Sequence, residues 1–179
     1  MADASQLNRS LFMLSDYIGI NIPVVLIMNM MDVATSQGKN INIKGFQKSL
    51  NIPVIPIVAA DKKKYKEFYA FLERSDSGMI LEDNNFERAY ESVAGDKYKL
   101  LKNYIPDEGI GVFSKSWIVG KLFDQDVKVI ELVKDNVDES KCKEIEDILR
   151  GIKNGNLITG NCKFDWIDKL INANVNSKK

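Results

Sequence analysis

The first 75 residues alternate between helix-like and strand-like spacings of apolar side chains. Apolar residues recur at intervals of four, three and four from Leu7 to Ile18, which predicts one face of a helix over residues 5–18. Residues 24–28 form a short apolar run typical of a parallel strand that is covered on both faces. A second helix is predicted over residues 43–50. The opening of the chain therefore has the order helix, strand, helix.

The pattern then repeats with a second strand and a third helix. Residues 53–60 are apolar but include Pro53 and Pro56, which cannot donate to a sheet ladder, so an edge strand is expected. Asp61 can cap the helix that follows. Four residues are predicted to share the inner side of that helix: Tyr65, Phe68, Phe71 and Leu72. The alternation is typical of an α/β domain.

Beyond the polar stretch at residues 74–78 only helical spacing is recognisable. Five helices are predicted there, with apolar stripes around Phe86, Trp117, Val129, Ile148 and Ile167. We therefore expect an α/β domain with a partial GTPase-like sheet over residues 1–75. An all-α bundle is expected over residues 76–179.

Composition removes several classes of chemistry. The chain has 25 basic and 25 acidic residues, and proteins that grip nucleic acid by its phosphates usually carry a basic excess, so we expect no nucleic-acid partner. There is no histidine, which excludes Ser-His-Asp catalysis and histidine metal sites. Two cysteines are too few for a disulfide scaffold. No signal peptide or membrane-spanning segment is recognisable.

The strongest local motif is Asn29-Met30-Met31-Asp32, which directly follows the first predicted strand. A carboxylate there can accept two hydrogen bonds from the ring N–H and the exocyclic amine of guanine, a donor pair that adenine lacks. Open α/β sheets place ligands beyond the carboxyl ends of their strands, where this motif lies. Two polar residues at this spacing are also common in an ordinary turn at a strand exit, so both interpretations stay open on the motif alone.

The surrounding sequence resembles the cytosolic G-protein region of the prokaryotic ferrous iron transport protein B family. Three segments carry the resemblance: residues 3–11 (Asp-Ala-Ser-Gln-Leu-Asn-Arg-Ser-Leu), 22–32 (Ile-Pro-Val-Val-Leu-Ile-Met-Asn-Met-Met-Asp) and 53–56 (Pro-Val-Ile-Pro). Residues 116–126 and 161–167 resemble the helical domain that follows in that family, more loosely.

The resemblance implies a binding site for GTP or GDP. It implies that Asp32 recognises the base, that Asn29 braces the loop beside Met30, and that Val58, Ala59 and Ala60 form the second base-contacting loop. In the intact family protein Mg²⁺ accompanies the nucleotide, and the helical domain regulates affinity and links to a transmembrane part. The parent protein would thus work on the cytoplasmic side of the cell membrane.

The sequence departs from the family where phosphate is bound. No Gly-x-x-x-x-Gly-Lys-Ser/Thr motif and no magnesium motif of a GTPase occurs in the 179 residues. We therefore expect a fragment that binds nucleotide weakly or not at all and does not hydrolyse GTP alone. Two alternatives are a GTP hydrolase once its missing half is supplied, and an interaction module with a vestigial pocket. A two-stranded sheet would leave residues 24–28 with an open edge, so a homodimer through that edge is a further expectation.

Overall fold

The computed structural model describes residues 1–61, 65–74 and 78–177. The chain divides into two compact units. The α/β unit comprises Met1–Tyr17, Ile22–Glu82 and Phe164–Lys179, and the helical unit comprises Ile18–Asn21 and Asp83–Lys163. The predicted boundary between residues 75 and 76 lies outside the described residues, and the contacts instead divide the chain after Glu82 and return its last segment to the α/β unit.

A small parallel sheet organises the α/β unit. Its strands are β1 (Ala2–Asp3), β3 (Leu26–Asn29) and β5 (Val54–Pro56), in the spatial order β1-β3-β5. The register pairs Ala2 with Met28 and Leu26 with Val54, both in parallel. Leu26 and Met28 are buried, as expected for the central strand of a covered sheet. The predicted edge position of the proline-flanked strand β5 is confirmed.

Among the described residues, the first four helices along the chain belong to this unit: α1 (Leu7–Ser15), α2 (Met31–Ser36), α3 (Ile43–Leu50) and α4 (Lys66–Glu73). A 3₁₀ turn at Ala4–Gln6 precedes α1, and Asp3 caps that turn through its side chain. Helix α3 has the predicted bounds, and Phe46 and Leu50 are buried on its inner face. The predicted inward position of Leu72 is wrong, because this residue is 56% exposed near the end of α4.

Two further strand pairs close the α/β unit. Strand β2 (Pro23–Val24) pairs antiparallel with β6 (Met79–Ile80), and β4 (Lys39–Ile41) pairs antiparallel with β7 (Val175–Ser177). Both β6 and β7 lie beyond Gly78, where only helices were predicted. These strands have two and three residues and form through partners that are distant in sequence, so no local periodicity marks them.

The predicted open edge along residues 24–28 is also wrong. Val24 belongs to β2 and pairs with Met79, while Met28 and Asn29 are paired on the other side of β3 by β1. The run is thus divided between two sheets, and the sheet that contains β3 has three strands. The physical reason for expecting a homodimer through an unpaired apolar edge is removed at these positions.

The helical unit contains five complete helices within the described residues: α5 (Asn84–Ala94), α6 (Asp96–Tyr104), α7 (Lys115–Phe123), α8 (Val127–Asn136) and α9 (Glu139–Arg150). The last helix, α10 (Gly155–Asn174), begins in this unit, and its residues from Phe164 onward group with the α/β unit. A chain of aromatic contacts links the first three helices, from Phe86 through Tyr90 and Tyr98 to Phe123, with ring centroids 5.1 to 6.1 Å apart. The α/β-plus-helical fold class predicted from the sequence is confirmed.

Candidate functional site

The strand-to-helix junction after β3 contains the predicted Asn-x-x-Asp motif. Asn29 is the last residue of β3, and Met30 adopts a left-handed backbone with φ of 61° and ψ of 33°. A residue with a Cβ pays a steric cost in this conformation, and such outliers concentrate at functional sites. Met31 then begins α2, whose first turn contains Asp32. Two residues therefore separate the polar residues of the motif, and the first of them, Met30, is left-handed.

The Asn29 side chain ties this junction to the loop after the neighbouring strand. Its Oδ1 accepts a hydrogen bond of 2.9 Å from the backbone N–H of Ala59. The loop is shaped by a turn in which the N–H of Asp61 donates to the carbonyl of Val58 over 2.9 Å. The N–H of Ile57 donates to the carbonyl of Met28 over 2.7 Å, which continues the parallel pairing up to the loop. The two strand exits that the sequence singled out are thus joined directly.

A second side chain, that of the residue immediately before α4, also holds this loop. The hydroxyl of Tyr65 donates to the carbonyl of Ala59 over 2.5 Å. Tyr65 was assigned only to the apolar face of the following helix, so sequence reasoning missed this contact. A hydroxyl at the tip of an aromatic ring carries no local pattern that identifies its partner.

The remaining predicted site residues differ in exposure. Asp32 is exposed on α2, and Met30 is 44% exposed beside it. Ala59 and Ala60 are exposed, whereas Val58 is buried and contributes its carbonyl to the turn. The junction thus presents an exposed carboxylate and two exposed alanines next to a pair of hydrogen-bonded loops. The carboxylate can accept hydrogen bonds from a planar donor pair, and the two alanines are open to solvent.

Asp3 is a second carboxylate at the same edge of the sheet, where its register partner is Asn29. Its side chain accepts from both the N–H and the hydroxyl of Ser5, over 2.8 and 2.6 Å. The hydrogen bond from the Ser5 hydroxyl holds the pKa of Asp3 below its ordinary value. Asp3 is therefore committed to capping the turn before α1.

Two negative findings bear on the site within the described ranges 1–61, 65–74 and 78–177. No group of three histidine, cysteine, aspartate or glutamate side chains among these residues has the arrangement needed to hold a metal ion. In the same part of the chain, no helix combines the length and the apolar character required to cross a membrane.

Comparison with known proteins agrees with the resemblance found in the sequence. Residues 1–71 match the family model described as ferrous iron transport protein B. The Fe(2+) transporter FeoB of Staphylococcus aureus (strain MSSA476) is 32% identical over 78 residues, which are 44% of this chain and 12% of that protein. The Fe(2+) transporter FeoB of Escherichia coli (strain K12) is 26% identical over 106 residues, 59% of this chain and 14% of that protein. The aligned segments thus span only about an eighth of these relatives.

Solved structures extend the similarity to nearly the whole chain. A point mutant of NFeoB from S. thermophilus bound to GDP has a TM-score of 0.71 at 25% identity, covering 98% of this chain and 67% of that one. NFeoB from S. thermophilus bound to GDP.AlF4- and K+ has a TM-score of 0.67 at 25% identity, and the match covers 94% of this chain and 66% of that one. The cytosolic domain of L. pneumophila FeoB, at 17% identity and a TM-score of 0.65, shares the fold. The chain is therefore similar to the cytosolic region of FeoB, as its sequence predicted.

Proposed function

We propose that this chain, which matches the cytosolic G-domain region of a ferrous iron transporter, provides the guanine-recognising part of a nucleotide site. The observation that carries the proposal is the hydrogen bond from Ala59 N–H to Asn29 Oδ1. It joins the loops at the carboxyl ends of two adjacent parallel strands, which is where open α/β sheets bind ligands. NFeoB from S. thermophilus, which has the same fold, was crystallised with GDP.

In this proposal Asp32 and Asn29 have separate tasks. The exposed carboxylate of Asp32 accepts from the ring N–H and the exocyclic amine of guanine, and hydrogen bonds to a charged acceptor are stronger than neutral ones. Asn29 is assigned to the loop and not to the base, since its Oδ1 accepts from Ala59 N–H. It fixes the second loop, in which Ala59 and Ala60 lie beside the base, while buried Val58 supports the turn.

Phosphate binding and hydrolysis are assigned to groups outside these 179 residues. The sequence contains no glycine-rich phosphate loop with its Lys and Ser/Thr, and phosphate contacts normally contribute much of the affinity for a nucleotide. We therefore expect weak nucleotide binding by the chain itself and no hydrolysis. Mg²⁺ would be held by groups in the rest of a complete G domain, because the described residues offer no metal cluster.

The helical unit is proposed to regulate the nucleotide site and to connect it to a transmembrane part of a complete transporter. Its family resemblance over residues 116–126 and 161–167 supports this role. The chain would then act on the cytoplasmic face of the membrane, with the rest of the transporter as its partner.

A base-swap experiment tests the proposal on the chain as it stands. GDP, xanthosine diphosphate and ADP are titrated onto the ¹⁵N-labelled chain, and affinities are taken from amide shifts in NMR spectra. Xanthine carries a carbonyl where guanine has its amine, so Asp32→Asn should weaken GDP about tenfold or more and strengthen xanthosine diphosphate, since a hydrogen bond to a charged group contributes roughly 1.5–3 kcal/mol. The same substitution at exposed Asp165 on α10 is the matched control and should change neither affinity.

Two results would contradict the proposal. One is equal binding of GDP and ADP by the unmodified chain. The other is a GDP affinity that Asp32→Asn leaves unchanged, which would favour an interaction module with a vestigial pocket.

A further inference from the structure

Tyr65 reaches the same residue of the base loop that Asn29 holds. Its hydroxyl donates to the Ala59 carbonyl over 2.5 Å, while Asn29 Oδ1 accepts from the Ala59 N–H over 2.9 Å. Both backbone polar groups of Ala59 are therefore engaged by side chains from different elements, the end of β3 and the start of α4. The orientation of this exposed loop residue is fixed at both its donor and its acceptor.

The Tyr65 ring is itself supported. It lies edge-on against the Tyr69 ring with centroids 5.9 Å apart and planes at 78°, a favourable aromatic geometry. Tyr65 immediately precedes α4 and has helical backbone angles, with φ of −77° and ψ of −9°. A rigid ring on the start of a helix holds its hydroxyl at a defined position better than a long flexible side chain does.

We propose that Tyr65 is a positioning residue that favours guanine over adenine by occupying the carbonyl of Ala59. This inference rests on the proposed function. Guanine has a carbonyl oxygen at the ring position where adenine has an amine. A backbone carbonyl left unoccupied beside the base would repel the guanine oxygen and accept from the adenine amine. The Tyr65 hydroxyl takes one of the two acceptor positions of that carbonyl and draws negative charge from its oxygen, which weakens both effects, while Asp32 reads the other edge of the base.

The test removes only the hydroxyl. Tyr65→Phe keeps the ring and its contact with Tyr69, and Tyr69→Phe removes a hydroxyl from the same helix as the matched control. GDP and ADP affinities are measured by NMR titration of the 179-residue chain, and hydrogen exchange of the Ala59 amide is measured without nucleotide. Thermal unfolding monitors general stability.

Tyr65→Phe should weaken GDP about 2- to 10-fold, the effect of one hydrogen bond, and should leave ADP unchanged or bound more tightly. The Ala59 amide should exchange faster by a similar factor, because its loop is held at one end only. Tyr69→Phe should match the unmodified chain in all three measurements.

The outcomes separate the two proposals. If the unmodified chain binds GDP and ADP equally, the proposed function fails, and the specificity role of Tyr65 fails with it. If the chain prefers GDP and Tyr65→Phe keeps the full preference, the proposed function stands and the inference is overturned. Faster Ala59 exchange with an unchanged preference would show that Tyr65 only supports the loop, and this too overturns it.

Discussion

Replacing Gly45 with alanine tests how the C-terminal end of α10 is held against α3. A Cβ at position 45 would lie 2.1 Å from Oδ1 of Asn174 and 2.8 Å from Nδ2 of Asn42, both too close for real atoms. Asn174 is buried, and its Nδ2 donates to the carbonyl of Leu170 over 2.9 Å and to the Ser49 hydroxyl over 3.2 Å. The new methyl group can fit only if the Asn174 side chain leaves these partners.

The expected cost follows from three contributions. Alanine is better than glycine inside a helix by roughly 1 kcal/mol. Displacing Asn174 forfeits two hydrogen bonds of about 0.5–1.5 kcal/mol each and leaves buried polar groups unsatisfied at roughly 1–3 kcal/mol. Gly45→Ala should therefore lower the free energy of unfolding by roughly 1–5 kcal/mol. Asn174→Ala alone should cost a similar amount. In the double variant the methyl group meets no Asn174 oxygen, so the second substitution should add little.

The assay is urea unfolding at 25 °C for the two single variants and the double variant. Far-UV circular dichroism reports the whole chain, and the fluorescence of Trp166 in a Trp117→Phe background reports the α/β unit, which contains Trp166. Lys48→Ala, an exposed change on the same helix, should stay within about 0.5 kcal/mol of the parent. If the loss of unfolding free energy in the double variant equals the sum of the two single-variant losses within about 0.5 kcal/mol, Gly45 and Asn174 are not coupled and the reasoning is refuted.

Two further predictions concern the cores of the separate units. Phe46→Ala removes a fully buried ring and should lower the free energy of unfolding by about 3–5 kcal/mol. Leu72→Ala changes a side chain that is 56% exposed and should lower it by less than about 0.5 kcal/mol. Similar losses for the two variants in urea unfolding would contradict the burial of Phe46. In the helical unit, burial opposes ionisation of Glu87, but hydrogen bonds from Lys102 and Ser116 outweigh it and hold the pKa of its carboxyl below the ordinary 4.5. A lowered carboxyl pKa stabilises the fold above the unfolded-state pKa and ceases to do so as the pH falls through the folded-state pKa. Glu87→Gln should therefore cost about 1 kcal/mol at pH 7, and this cost should shrink as the pH falls below 4.5. A cost that is independent of pH would count against this ion pair.

The elements predicted correctly are those whose signal is local. Helix α3 shows this most clearly, because Phe46 and Leu50 are four residues apart on one face and Asn42 caps its start by accepting from Gly45 N–H. Helix α6 was missed because its sequence is mostly polar, with only Tyr98 and Leu101 buried. Leu100 lies between these two positions and is exposed, so the sequence does not show a single apolar face that would distinguish such a helix from a loop.

The strand errors have a different cause. Residues 24–28 form one apolar run, yet Val24 and Leu26 belong to different sheets because their partners are Met79 and Val54. The pairing of a strand depends on residues far away in the sequence, and the apolar pattern is identical for either partner. Strand β7 was not predicted for the same reason, because its partner is the distant segment Lys39–Ile41.

In the candidate site, too, the residues with a local sequence signal were predicted and the contacts between separate elements were not. Asn29 and Asp32 were found because both lie within four residues of a recognisable strand exit. The contact between Asn29 and Ala59 crosses 30 residues, and the sequence indicated its two loops without indicating the atoms that join them. Tyr65 lies only six residues from Ala59, yet the bond runs from a side-chain tip to a backbone carbonyl. Neither apolar spacing nor charge marks such a bond.

The left-handed backbone of Met30 explains how Asn29 and Asp32, three positions apart in the sequence, can have two different roles. Asn29 still belongs to β3, so its side chain can reach sideways to the loop that follows the adjacent strand β5. Asp32 belongs to a helix that starts two residues later, so its carboxylate lies on a different element and stays exposed. Had the strand continued through Met30, side chains at 29 and 32 would point to opposite faces of the sheet, because strand side chains alternate. The turn at Met30 therefore allows Asn29, which holds the neighbouring loop, and Asp32, whose carboxylate is exposed, to lie at the same end of the sheet.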